Sequence, residues 1–341
     1  MLRIVVVIPN RIKCAPNDIA ISQVLTLREM GYEADLISLR NRGSDYEIDG
    51  LNILNLGSQR GAIAFFKAGT YFFHMFLPAV LTLFVRNSLC YVHSDIEPDC
   101  IDQYGVVKGK VVQAIWKLAL SKSKKVGVVS SYLKEKSQIS EYLPAKKLVL
   151  VPTTTQHRKL YNLDDECQLT SVARSVSHFR SKHKKIFVVV GSFRKLKNQQ
   201  FVIDLILAAK DHNISMGVIF FGDGEMMFNV INKSMIKNVS SHCLFLGQVA
   251  FPHLYIGEGD VMVSPSLSEG FPLSFIEARD NSIPVLALDI PNLFNPPSFV
   301  QLFSDENHFI RLIENEEIIS QFRPDFTLED ACNVLITAMR D

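Results

Sequence analysis

Short runs rich in β-branched and aromatic residues alternate with segments of helical period from one end of this chain to the other, and that alternation leaves few folds open. In the first half the strand candidates are Ile4–Ile8, Ala34–Leu39, Leu51–Leu54, Leu89–His93, Lys125–Val129 and Leu148–Val151, with helical patterns near 18–30, 62–85, 107–122 and 131–142. After Val151-Pro152 the pattern dissolves into a polar stretch. It resumes at Ile186–Val190 and runs on through Val218–Phe221, Leu244–Leu246, Val261–Ser264 and Val285–Leu288. Strands separated by whole helices are parallel strands, so the fold class is α/β with two Rossmann-like doubly wound units. The boundaries that follow are a first domain over 1–155, a polar linker over 156–184, a second domain over 185–325, and a final amphipathic helix over 326–341 able to pack back on the first domain.

A chain of 341 residues that is 48% hydrophobic and 21% charged has ample apolar surface for two cores, which excludes disorder. Its net charge of +1 gives no electrostatic reason to expect nucleic acid. The average hides an asymmetry: residues 1–150 carry 19 Lys plus Arg against 13 Asp plus Glu, and residues 151–341 carry 17 against 22. The six cysteines show no CxxC or metal-type spacing and read as reduced thiols, and the N-terminal MLRIVVVIPN is too short for an export signal, so a cytoplasmic location is expected. Residues 68–85 (AGTYFFHMFLPAVLTLFV) form a largely apolar stretch whose one ionisable member is His74, which suggests a buried or interfacial helix rather than a span, because Gly69 and Pro78 interrupt it.

In doubly wound sheets ligands lie beyond the carboxyl ends of the strands, so the residues just after each strand are the candidates for chemistry. In SPSLSEGFPLSFIEA, residues 264–278, a strand ends, a loop carries Glu269-Gly270-Phe271, and Pro272 falls where a helix would start. Free N–H groups of Gly270, Phe271 and Leu273 at such a helix start suit a phosphate. Glu277 lies five residues beyond Pro272, roughly 7.5 Å along the axis and about the reach from a diphosphate to a ribose. The same two glutamates would also suit an ordinary strand-turn-helix with solvated acids. In VVVGSFRKLKNQQ, residues 188–200, Gly191 precedes Arg194, Lys195 and Lys197, cations able to compensate a diphosphate or simply to be solvated. Gly222-Asp223-Gly224 and Leu246-Gly247 end two further strands, where they serve equally as tight turns.

In this order the segments resemble the nucleotide-sugar-binding domain of retaining GT-B glycosyltransferases of the family 4 type. The correspondence is Gly191…Lys197-Asn198, then Gly222-Asp223-Gly224, then Phe245-Leu246-Gly247, then Glu269…Glu277 as an E-x7-E pair, flanked by Pro265-Ser266 and Pro284-Val285. The resemblance implies GT-B architecture, two Rossmann-like domains facing a cleft. It implies that Glu277 holds the nucleotide ribose, Glu269 contacts the donor sugar, and Gly270, Phe271, Pro272 and Leu273 cap the diphosphate. Lys197 and Arg194 would neutralise the diphosphate without a metal. His93, in YVHSD at the end of a strand, resembles the histidine that faces the sugar in such enzymes. Two departures stand out: position 192 is Ser where the family has Arg, and the Gly-rich loop expected after the first strand is replaced by PNRIKCAPNDIA. Asp95, Glu97 and Asp99 read as a polar loop rather than a metal site.

The function so implied is transfer of a sugar from a nucleotide diphosphate sugar, UDP- or GDP-linked, to a glycan or lipid-linked glycan acceptor with retention, in bacterial surface polysaccharide or glycolipid assembly. No cofactor is expected. The enzyme would be cytoplasmic and peripheral on the inner face of an anionic membrane. The alternatives are a non-catalytic partner subunit that keeps the fold and a nucleotide-sugar epimerase of the same architecture.

Overall fold

A computed structural model describes residues 2–12, 14–43, 48, 50–151, 166–249, 252–318 and 327–340, with the backbone alone for 166–169. The chain divides into two units, Met1–Asn162 with Asp325–Asp341, and Leu163–Pro324.

Unit 1 holds strands β1 (Arg3–Ile8), β2 (Glu33–Ser38), β3 (Ile53–Asn55), β4 (Thr70–His74), β5 (Ser88–Val92), β6 (Lys125–Val128) and β7 (Leu148–Leu150). They form one sheet in the order β3-β2-β1-β4-β5-β6-β7, and every pairing is parallel. The connecting helices are α1 (Ala15–Glu29), α2 (Gln59–Phe66), α3 (Phe76–Ala79), α4 (Ile96–Tyr104), α5 (Val106–Lys122), α6 (Ser131–Glu135) and α7 (Gln138–Tyr142). The helical pattern over 131–142 is split because Ser130 and Ser137 each cap a new helix start, accepting from the N–H groups of Leu133 and Ile139.

One expectation fails here. The segment 68–85 is not a helix: Thr70–His74 is strand β4, at the middle of the sheet, followed by α3 and a 3-10 turn over Val80–Leu83. β4 pairs with β1 on one side and β5 on the other, and all five of its residues are buried. A parallel strand covered on both faces shows no alternation, so periodicity cannot separate it from a buried helix. Its aromatic residues are core: Phe72 and Phe73 are fully buried, and each contributes about 1.5–3 kcal/mol by leaving water.

Unit 2 holds α8 (Glu166–Arg180), β8 (Lys185–Val190), α9 (Gln199–Asp211), β9 (Met216–Phe221), α10 (Met227–Ile236), β10 (Cys243–Phe245), β11 (Val261–Ser264), α11 (Leu273–Asp280), β12 (Val285–Leu288), β13 (Val300–Phe303) and α12 (Glu306–Glu314). Its sheet runs β10-β9-β8-β11-β12-β13, again all parallel. The stretch expected as a polar linker is helical from Glu166 to Arg180. Val172, Val176 and Phe179, four and three residues apart, put one apolar stripe of α8 into the core beside Ile219 and Phe221. Arg180 then fixes the end of α8 through a bidentate pair with buried Asp260, and Nη2 also donates to the Tyr255 carbonyl at 3.0 Å. The last helix, α13 (Leu328–Arg340), belongs to unit 1 and packs on α1, burying Cys332, Leu335 and Ile336.

Candidate functional site

The strand order of unit 2 reverses between β8 and β11, so the loops leaving these two strands diverge and open a crevice between them. Three bonds tie those loops together. Asn198 Nδ2 donates to the Pro265 carbonyl at 3.1 Å, the Leu267 N–H donates to the Leu196 carbonyl at 2.8 Å, and Lys197 Nζ lies 2.6 and 2.9 Å from the two carboxylate oxygens of Glu269. Asn198 adopts a left-handed conformation (φ 50°) that ends the 3-10 turn Lys195–Lys197 and starts α9. Glu269 is only 7% exposed, so its charge is tolerable there because Lys197 meets it. The structure thus pairs two residues for which the resemblance implies separate tasks. Arg194 precedes the 3-10 turn and is half-buried, whereas Lys195 faces solvent.

Beyond Glu269 the chain turns into α11. Pro272 is the N-cap, with extended backbone, rather than the first helical residue. The N–H groups of Gly270, Phe271, Leu273 and Ser274 make no hydrogen bond among the described residues, while Gly270 and Leu273 are buried. Four unpaired donors at the positive end of a helix dipole form a seat for an anion. Glu277 stands on the same helix, half-buried and one turn further on.

The neighbouring strand ends close the crevice with glycine. Gly222 N–H donates to the Gly247 carbonyl at 2.7 Å and Gly191 N–H to the Phe221 carbonyl at 2.9 Å, lacing the ends of β8, β9 and β10. Gly222 sits at φ 134°, and a Cβ on it would lie 2.1 Å from the Gly191 carbonyl oxygen. Only glycine allows that approach. Leu246, on the β10 side, is half-buried against the core with its N–H held by the Phe220 carbonyl at 3.0 Å.

In unit 1 the strand order reverses between β1 and β4. His93 follows β5, and its Nε2 lies 3.1 Å from Nδ1 of His74, the last residue of β4. His74 Nε2 lies 3.0 Å from Gln23 Oε1 on α1, and the same amide hydrogen-bonds the Tyr91 hydroxyl. With its oxygen on His74, Gln23 gives its NH2 to Tyr91, whose O–H makes a long contact of 3.5 Å with the Val151 carbonyl. These constraints run one way: His74 carries its proton on Nε2, His93 carries its own on Nε2, and His93 Nδ1 is left as a buried acceptor without a partner among the described residues. Burial pushes the His93 pKa down to about 3, and burial with the adjacent His93 holds His74 well below the ordinary histidine value.

Residues 174–294, most of unit 2, match the family described as Glycosyl transferases group 1. The chain is 31% identical over 100 residues to the putative glycosyltransferase EpsF of Bacillus subtilis, covering 29% of this chain and 26% of EpsF. It is 25% identical over 238 residues to the capsular polysaccharide biosynthesis glycosyltransferase CapH of Staphylococcus aureus, covering 67% of this chain and 59% of CapH. The chain therefore spans about a quarter to three fifths of the length of these relatives. Among solved structures, Anabaena HepE in complex with UDP and glucose superposes with a TM-score of 0.67 at 12% identity, covering 100% of this chain and 95% of that one. The fold is GT-B.

Within the GT-B frame the two departures acquire a structural form. Ser192 is exposed, and its carbonyl rather than its side chain is used, accepting from Gln199 Nε2 at 2.9 Å. The loop after β1 is held not by glycines but by Asn17, fully buried, whose Nδ2 donates to the carbonyls of Asn10 and Ile12 at 3.1 and 2.8 Å. The acidic stretch expected as a loop is a helix start, with Asp95 at the N-cap of α4 and Glu97 and Asp99 in its first turn, and it is engaged locally: Tyr132 donates to Asp95 at 3.2 Å, Ser94 to Asp99 at 3.2 Å, and Gln113 and Gln138 to Glu97. Among the described residues no three His, Cys, Asp or Glu side chains are grouped to hold a metal ion. Sequence reading missed Gln23 and the role of His74. The signal was present in His74 as the one ionisable residue of an apolar run, but β4 had to be recognised before it could be placed beside His93.

Proposed function

We propose that this protein is a glycosyltransferase that takes a sugar from a nucleotide diphosphate sugar and passes it to an acceptor hydroxyl with retention of anomeric configuration. The observation that carries the reading is the seat at the start of α11: four unpaired N–H groups next to the Lys197–Glu269 pair, at the switch point of a nucleotide-binding type of sheet. The diphosphate of the donor binds there. As the bond to the sugar breaks, negative charge grows on the diphosphate, and the helix dipole, Lys197 and Arg194 stabilise it more than they stabilise the ground state. This charge compensation comes from side chains and amides, so the proposed reaction is metal-independent. Glu277 takes the ribose hydroxyls, Glu269 the hydroxyls of the sugar, and Leu246 and Gly247 the base. His93, a neutral acceptor, takes the proton side of a sugar hydroxyl.

HepE is described in complex with UDP and glucose, and CapH acts in capsule biosynthesis. For this chain we infer a UDP- or GDP-sugar donor and a glycan or lipid-linked glycan of bacterial surface polysaccharide as acceptor, used at the cytoplasmic face of the membrane. A panel of UDP-, GDP- and ADP-sugars tested for thermal stabilisation decides the donor, since a ligand that binds the native state raises the melting point. One class should stabilise the wild type and fail to stabilise Glu277→Ala. Stabilisation by none, or equal stabilisation of the variant, removes the assignment.

A further inference from the structure

The outward face of α5 is apolar where a solvent face should be polar. Gly109, Trp116, Ala119 and Leu120 bury one side of this helix, and Gly109 lies so close to α4 that a Cβ there would be 2.7 Å from the Cys100 carbonyl oxygen. Opposite them Val107 (79% exposed), Val111, Ile115 and Leu118 are exposed together. At 100° per residue these four fall within about an 80° stripe along the whole helix. Single exposed apolar residues need no explanation, but an aligned stripe does. The adjoining 3-10 turn, tied to α5 by Thr82 Oγ1 donating to the Ala119 carbonyl at 2.8 Å, ends in Phe84, which is 82% exposed.

The charges bordering the stripe select its partner. The helix sequence VVKGKVVQAIWKLALSK contains no Asp or Glu. Exposed Lys110 lies along one border, exposed Lys108 along the other, and Lys122 closes the C-terminal end, while Lys117 is half-buried, its Nζ held 3.3 Å from Gln138 Oε1 and over the Tyr142 ring. A second copy of this chain docking through the same face would bring these lysines against one another. A surface that is apolar within and anionic at its rim accepts both the valines and the ammonium groups, whose aliphatic stems can lie along the apolar phase.

We propose that α5 is the face by which this protein docks on an anionic lipid bilayer, its apolar stripe in the headgroup boundary and its lysines on lipid phosphates. The inference rests on the reading above of a lipid-linked acceptor only for its biological sense. It moves the main membrane contact from the 68–85 segment, whose strand residues Thr70–His74 are core and whose exposed end adds only Leu83 and Phe84 beside the stripe, to a helix whose exposure the sequence did not reveal.

The test is flotation of the full chain with vesicles of phosphatidylcholine, with and without phosphatidylglycerol. Wild type should float with the anionic vesicles and be released by high salt. Val107→Gln combined with Leu118→Gln, both at exposed positions, should lower binding at least about tenfold. Lys108→Glu combined with Lys110→Glu, both at exposed positions, should do the same, since each lysine near an anionic surface is worth about fivefold. Phe228→Gln, at an exposed apolar residue of unit 2, should change nothing. No flotation of the wild type, flotation unaffected by the α5 variants, or a dimer that Leu118→Gln disperses would each overturn the proposal. Nucleotide-sugar stabilisation measured on the same preparations separates the two readings: its loss with flotation intact refutes the enzyme assignment, and the reverse result refutes the docking face alone.

Discussion

Lys197 and Glu269 can be separated experimentally into a stability role and a chemical one. Glu269 is almost fully buried, while Lys197 keeps 29% of its side-chain surface in water. Truncating one partner of a fully buried pair costs about 3–5 kcal/mol because a charge is stranded, and the partial exposure of Lys197 brings the expected cost of Lys197→Met to about 2 kcal/mol. For a unit of this size that is a fall of about 4–8 °C in its melting transition. Glu269→Gln on top of it removes the stranded charge, so the double variant should recover at least half of the loss while remaining unable to turn over donor. Differential scanning calorimetry gives the stability cycle, and release of nucleotide diphosphate gives the activity. An unchanged melting transition in Lys197→Met, or additive destabilisation in the double variant, would show that the contact carries no energy. Recovered activity in the double variant would show that the pair does no chemistry.

Three further outcomes follow from named contacts. Gly222→Ala should destabilise unit 2 by at least about 2 kcal/mol and abolish donor stabilisation, because its Cβ would meet the Gly191 carbonyl oxygen at 2.1 Å with backbone at φ 134°; thermal scans with and without nucleotide sugar read both effects. Phe72→Ala should cost about 3–5 kcal/mol by chemical denaturation of unit 1, which a residue on a lipid-facing helix would not. His93 is neutral in the native state down to about pH 3 but binds a proton in the unfolded chain below about 6.5, so it makes unit 1 lose stability as pH falls through that window, by up to about 1.4 kcal/mol per pH unit. Denaturation at stepped pH should show that slope, and His93→Asn should flatten it. The pH profile of kcat/KM should carry no limb near 6.5 that disappears in His93→Asn.

The sequence located eleven of the strands by their β-branched content, and Val261–Ser264 and Val285–Leu288 coincide with β11 and β12. Where it failed the cause is specific. β4 has no polar face to alternate with, and the apolar run of β13 (VQLF) is broken by the polar Gln301. α8 hides its three core residues in a polar composition, so it reads as linker. In the site, spacing was enough to find the start of α11 because a loop, a proline and a helix follow one another in the chain. Spacing could not show that Lys197 and Glu269, 72 residues apart, share one ion pair. It also could not show that Gln23 and His74, on α1 and β4, set the proton on His93. Such contacts arise from strand order, which no local pattern encodes.

The course of the chain through its two units has a consequence for synthesis. Unit 2 is an insertion: the polypeptide leaves unit 1 after β7 and returns only with α13, whose buried residues cover α1 and whose Met339 carbonyl accepts from Lys124 Nζ at 2.5 Å. On a ribosome, the inserted unit has every strand of its sheet in hand before the first unit receives its closing helix. Until then α1, ten of whose fifteen residues are buried in the finished protein, shows an apolar flank to the surroundings. The first half of the chain is begun earliest and completed last, so the vulnerable nascent species is the one whose final stabilising element is encoded more than 170 residues downstream of its sheet.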